Sequence, residues 1–200
     1  MIVFKTVKVR LEFAQQFLAE RIESLKKDVL TCIKNTCPFP GLLYCFSTID
    51  LLGSLYGGDA TGVATTRKAN KFMIEVMRYP KYETNILQNQ FRHKLVHLAQ
   101  PQALILDNKN NRMIGWILDN VYHVKHLIVE KLQSKQPVIT LTPFKMEADR
   151  VFIVSLEKLL NDIVKSIYVF PDGYIERLRG TANLQEKFDN AVNQIYDTTI

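Results

Sequence analysis

Apolar side chains recur at Leu11, Phe17, Leu18, Ile22, Leu25, Val29 and Ile33, the spacing of an amphipathic helix over residues 11–33. Pro38 and Pro40 break that stripe. Residues 42–56 are apolar on nearly every side and run into Gly57-Gly58, which predicts a helix buried centrally in a bundle, with Asp50 in its core. Residues 59–64 read as a loop. Thr65 or Thr66 then stands where it can cap a third helix carrying Ala69, Phe72, Met73, Val76 and Met77, closed by Pro80. A fourth helix follows, with its stripe at Ile86, Leu87, Phe91, Leu95 and Leu98 and its stop at Pro101.

Beyond Pro101 the period changes. Residues 103–106 and 113–118 predict two strands around a polar turn at 107–111, and a third short strand is expected over 124–129. Thr142-Pro143 has the form of a cap followed by proline at the first helical position, so a helix is expected to carry Phe144, Val151, Phe152, Leu156, Leu159, Leu160, Ile163 and Ile167. Pro171-Asp172-Gly173 is a turn, and residues 183–196 read as a last helix. The expected fold is mainly α: a helical bundle with a small antiparallel β-sheet insertion and further C-terminal helices. With no repeat, low-complexity stretch or Gly/Ser linker, residues 1–200 read as a single composite domain, a helical unit at 1–100 and a strand-plus-helix extension at 101–200.

Composition narrows the class. Hydrophobic residues make up 47% of the 200 and charged residues 23%, enough apolar surface for a folded core and against a disordered chain. Cys32, Cys37 and Cys45 are odd in number and lack C-x-x-C spacing, which points to buried free thiols and away from a disulfide framework or thiolate zinc site. Only four residues precede Lys5, too short an apolar run for a secretory signal, and residues 39–58 carry Ser47, Thr48 and Asp50, which fits a core helix better than a membrane span. A cytoplasmic chain that does not engage a membrane is expected. The net charge of +6 favours an anionic partner such as nucleic acid, although cations scattered along the chain also serve solubility.

Ionisable groups concentrate in one window. Arg92, His93 and His97 lie within six residues, preceded by Gln88, Asn89 and Gln90 and followed by Gln100. A histidine exchanges protons near neutral pH and an arginine holds a phosphate with several donors, so the pair suits chemistry at an RNA phosphodiester, where the RNA supplies its own 2′-hydroxyl nucleophile.

The run Arg92-His93-Lys94-Leu95-Val96-His97 resembles the R-x4-6-H signature of the HEPN superfamily, and the helical hairpins expected over residues 11–98 are similar to the small bundle on which HEPN domains are built. The resemblance implies a metal-independent RNA endonuclease, without cofactor, working as a homodimer whose two motifs face each other across a shared cleft. Arg92 and His97 would be its catalytic residues, the first stabilising the phosphate and the second acting as general acid or base. His93, Lys94, Asn89 and Asp50 would bind or orient substrate. It further implies a defence or toxin setting with a cognate antitoxin or regulatory protein as partner. Toxins paired with nucleotidyltransferase antitoxins carry a tyrosine two residues beyond the histidine; that position is Ala99 here, so control by nucleotide transfer to it is not implied.

Geometry and chemistry leave alternatives open. In a regular helix, five steps of about 100° place Arg92 and His97 about 140° apart, so either the helix is irregular or a partner subunit completes the site. His93 and His97 also have a spacing that can hold a transition metal, and His123 with His126 forms a second pair, but Lys94 follows His93 where a catalytic glutamate would stand. The whole segment could instead be a solvated helix end whose cations oppose the helix dipole, which leaves a noncatalytic dimeric module binding RNA or a protein. Asp50 either orients a motif residue or satisfies a helix end or loop amide. Tyr44, Tyr56, Phe72 and Phe91 sit at core positions, and Trp116 reads as a strand residue packing on the bundle. P-loop, dinucleotide and nucleophile-elbow signatures are missing, and the glycine-rich residues 57–62 lack the lysine a phosphate loop needs.

Overall fold

The computed structural model describes residues 2–92, 95, 105–107, 112–119, 125–139, 146–169 and 171–197. They are mainly helical, with one small mixed sheet. The chain divides into two compact units, neither a continuous stretch of sequence: the first comprises Met1–Asp28, Tyr44–Tyr79 and Leu160–Ile200, the second Val29–Leu43 and Pro80–Leu159.

Helix α1 (Val7–Lys34) starts a turn earlier than its apolar stripe, because Thr6 Oγ1 accepts the Val9 amide at 3.2 Å and caps it. The expected stripe faces inward, with Ala14, Phe17, Leu18, Ile22, Leu25 and Val29 buried. Pro38 and Pro40 do more than end α1: they occupy the first turn of α2 (Pro38–Gly57), where a missing amide is harmless. Leu42, Cys45, Phe46, Ile49, Leu52 and Leu55 bury α2 on several sides. No described helix is long and apolar enough to cross a membrane.

In the first unit, α3 (Thr65–Glu75) is not capped by Thr65 or Thr66 as expected. Its N-cap is Ala64, in the left-handed region at φ 52° with no side-chain cap, while Thr65 Oγ1 donates back to the Gly62 carbonyl at 2.7 Å. Helix α3 approaches α2 at Gly53, where an added Cβ would lie 2.7 Å from the Ala69 nitrogen. The unit is completed by the second part of α5 (Leu156–Tyr168), then α6 (Tyr174–Gly180) and α7 (Ala182–Tyr196) after the expected Pro171-Asp172-Gly173 turn. Helix α6 was not anticipated. Tyr79 Oη donates to Asp162 Oδ2 at 2.9 Å, and Phe4, Phe13, Phe17, Phe188 and Tyr196 form one aromatic cluster.

The second unit holds α4 (Lys81–Ile86), a π-helical turn (Leu87–Arg92), and strands β1 (Ile105–Asp107), β2 (Arg112–Asp119), β3 (Ile128–Ile139) and β4 (Met146–Ser155) in the order β1-β2-β4-β3. Strands β1 and β2 pair antiparallel, with Ile105 opposite Ile114, as the predicted hairpin requires. Two expectations are corrected. The third strand runs over Ile128–Ile139, later and longer than 124–129, with register breaks between Lys131 and Gln136 and between Pro137 and Ile139. Residues 146–155 are strand, not helix, so the sheet is mixed: β4 pairs parallel with β2 and antiparallel with β3. Val151, Phe152, Ile153 and Val154 are all buried, the continuous apolar run of a central strand covered on both faces. Helix α5 begins after it, where Ser155 Oγ accepts the Lys158 amide at 3.1 Å as an N-cap; the expected Thr142-Pro143 cap lies outside the described residues.

Trp116 on β2 meets the Phe39 ring edge-on at 6.3 Å, both in the second unit. The three cysteines form no disulfide; Cys45 is buried, but Cys32 is half-buried and Cys37 exposed, so the expectation of buried thiols holds for one of them.

Candidate functional site

The sequence motif begins where the helix changes character. After α4 the backbone switches from i→i+4 to i→i+5 closure over Leu87–Arg92, and Arg92 is the last residue of that turn. Each π closure encloses one more residue than an α closure, which rotates downstream side chains away from their regular helical positions. The angle between Arg92 and His97 depends on residues 93–97, of which only Leu95 is among the described residues.

Packing anchors this turn. Ile86, Leu87 and Leu95 are buried, and two polar side chains are buried with them at helical spacing, Thr84 and Gln88. Thr84 Oγ1 has no hydrogen-bond partner among the described residues. Thr84 was not anticipated from the sequence and Gln88 only as a neighbour of the motif, although polar residues four apart on a stripe that otherwise buries Leu and Ile are a visible signal. Arg92 itself is half-buried, and a planar guanidinium suits bidentate capture of an oxyanion.

Of the other candidate residues, Asn89 belongs by its backbone to the π turn, and its side chain lies outside the description. His93, Lys94 and His97 lie outside the described residues. Asp50 is on α2 in the first unit, half-buried beside the buried Ile49, whereas Arg92 belongs to the second unit.

The second histidine pair is split in the same way. His123 is outside the described residues, while His126 Nδ1 accepts the Ser155 amide at 2.9 Å, at the junction where β4 ends and α5 begins. A neutral imidazole accepting at Nδ1 carries its proton on Nε2, and the bond ties the turn before β3 to the end of β4. Among the described residues, no group of three or more histidine, cysteine or acidic side chains is arranged to hold a metal ion. Neither a protein-family model, nor a curated protein, nor a solved structure matches this chain.

Proposed function

We propose that this chain is a metal-independent RNA endonuclease of HEPN type, a homodimer in which Arg92 and His97 of each copy line a shared cleft. The observation that carries the proposal is the π-helical turn ending on Arg92, the first residue of the motif. Departures from regular helix are retained against their poorer hydrogen bonding mostly where function needs a side chain re-aimed. Here the re-aimed residue is a half-buried arginine at the head of the only cluster of arginine and histidine in the sequence.

The chemistry follows from those side chains. Arg92 would neutralise the scissile phosphate and the charge that builds on its oxygens. His97 would take the 2′-hydroxyl proton or protonate the departing 5′-oxygen. The 2′-oxygen forms its bond to phosphorus as the bond to the 5′-oxygen breaks, leaving a 2′,3′-cyclic phosphate and a 5′-hydroxyl. His93, Lys94 and Asn89 would contact or orient the strand, and a cognate antitoxin or regulatory protein would restrain the activity in a toxin or defence system.

The test is cleavage of a mixed RNA pool in excess chelator by the wild type, Arg92→Ala and His97→Ala, with circular dichroism and dimer mass measured on each. The expected result is cyclic-phosphate ends from the wild type and their loss in both folded variants. Equal cleavage by a folded His97→Ala protein overturns the proposal. An inactive wild type that still binds RNA at low salt moves the assignment to a noncatalytic RNA-binding module.

A further inference from the structure

A second site lies in the first unit, on residues the motif does not include. A cavity of about 230 Å³ is lined by Tyr56 from α2, Lys71 from α3, Arg177 from α6, and Thr181, Asn183 and Lys187 at the start of α7. Three cationic side chains from three helices converge there. Among the described residues neither Lys71 nor Lys187 pairs with a carboxylate. Lys71 Nζ lies 5.8 Å from the centre of the Tyr56 ring.

The cations are held by the fold. Arg177 Nε donates to the Asp172 carbonyl at 2.7 Å, and its Nη2 lies 3.5 Å from Asp172 Oδ1. The Lys187 stem lies against Gly58, which adopts φ +81° and where an added Cβ would come within 2.7 Å of Lys187 Cγ. Tyr56 is fixed from behind by Phe72 and Tyr174 at 6.0 and 6.5 Å, and its hydroxyl donates to Glu75 Oε2 at 2.6 Å. Asp172 and Glu75 are thus each engaged with a lining side chain, and three cations against these two carboxylates leave the pocket net positive. Thr181, the N-cap position of α7, makes no side-chain cap, so the first-turn amides and the positive end of a 15-residue helix add to the same field.

We infer that this cavity binds a small phosphate-bearing molecule through its multiply charged phosphate end. A terminal phosphate or pyrophosphate presents several oxygens to donors arriving from three directions. The site involves neither Arg92 nor His97, so it stands or falls apart from the RNA-cleavage proposal.

Inorganic pyrophosphate is the probe, with inorganic phosphate alongside, titrated into the whole chain at about 0.15 M ionic strength so that weak surface attraction is screened. Binding is read by calorimetry and by amide shifts of Thr181, Asn183 and Leu184. Saturable binding is expected, weakened about tenfold by Lys71→Gln and by Lys187→Gln, and changed less than about twofold by Lys26→Gln on the exposed face of α1. Melting temperatures of all three variants near the wild-type value establish folding; should one site variant fail to fold, the other and the amide shifts still decide. Absence of saturable pyrophosphate binding by the wild type, or equal binding by a folded Lys71→Gln or Lys187→Gln protein, overturns the inference.

Discussion

Arg10 grips Asp189 with two arms of its guanidinium: Nε lies 2.6 Å from Oδ1 and Nη2 2.7 Å from Oδ2, while Nη1 reaches Gln185 Oε1 at 3.4 Å. The contact joins the first turn of α1 to α7, and the two side chains are only 12% and 25% exposed, so solvent screens them weakly. A lysine cannot reproduce the planar fork. Arg10→Lys is expected to lower stability by about 1 kcal/mol and Arg10→Ala by about 2–3 kcal/mol in urea unfolding, between the values for exposed and fully buried pairs. A double-mutant cycle with Asp189→Ala checks the cause: a coupling near zero would mean that the pair contributes only packing.

Gly53 sets how closely α3 can approach α2. An added Cβ would sit 2.7 Å from the Ala69 nitrogen and 2.8 Å from its Cα, and main-chain atoms cannot swing aside as a flexible side chain can. Gly53→Ala is therefore expected to destabilise by about 1–3 kcal/mol, even though alanine is the better helix former by about 1 kcal/mol. Gly180 is the control, since an added Cβ there meets nothing within 4 Å. Thermal unfolding that shows equal effects for Gly53→Ala and Gly180→Ala would rule out the close crossing.

These contacts also show what the sequence could and could not disclose. The stripe from Phe17 to Val29 and the apolar run of α2 were legible because each helix buries a face at its own local period. Val151 to Val154 misled for the same reason, since a strand covered on both faces shows no alternation, and its parallel partner β2 is remote in sequence. Ser155, standing just before Leu156, was the available sign that a helix starts there. At the motif, Arg92 was legible as an ionisable residue on a helix. The π turn was not, because it depends on packing around Leu87 and Gln88 and has no compositional mark. The convergence of Lys71, Arg177 and Lys187 is a product of tertiary folding alone, and the sequence showed them only as scattered cations.

Asp59 makes stability depend on acid pH. The Thr61 hydroxyl donates to its Oδ1 at 2.6 Å and the Thr61 amide at 2.9 Å, while Lys68 Nζ lies 2.9 Å from Oδ2. The Thr61 hydroxyl first, then Lys68, hold the carboxyl well below the usual carboxylate range. Because the folded-state value is the lower one, this stabilisation is fully present above the unfolded value of about 3.9 and is lost as pH falls further, toward the folded value. Asp59→Asn should be less stable than wild type at neutral pH, with the difference shrinking below about pH 4. A difference that stays constant from neutral pH into acid would remove Asp59 as its source.

Tyr174 and Tyr79 are both buried phenols, yet their removal should act in opposite directions. Tyr174 is fully buried beside Phe72 and Tyr56, and among the described residues its hydroxyl has no hydrogen-bond partner. Tyr79 donates to Asp162 at 2.9 Å. Deleting an unpaired buried hydroxyl recovers its lost hydration, so Tyr174→Phe is expected to be neutral or to stabilise by about 1 kcal/mol at pH 7, whereas Tyr79→Phe is expected to cost about 1–2 kcal/mol. Burial pushes both phenols above their ordinary value, joined at Tyr79 by the Asp162 charge. A raised folded-state value means that the stability each phenol contributes is intact below the unfolded value of about 10 and is lost as pH rises beyond it. Each phenylalanine variant should therefore gain on the wild type above about pH 10, and the two should differ in sign only at neutral pH. If Tyr174→Phe were as destabilising at pH 7 as Tyr79→Phe, the Tyr174 hydroxyl would have to be bonded in solution.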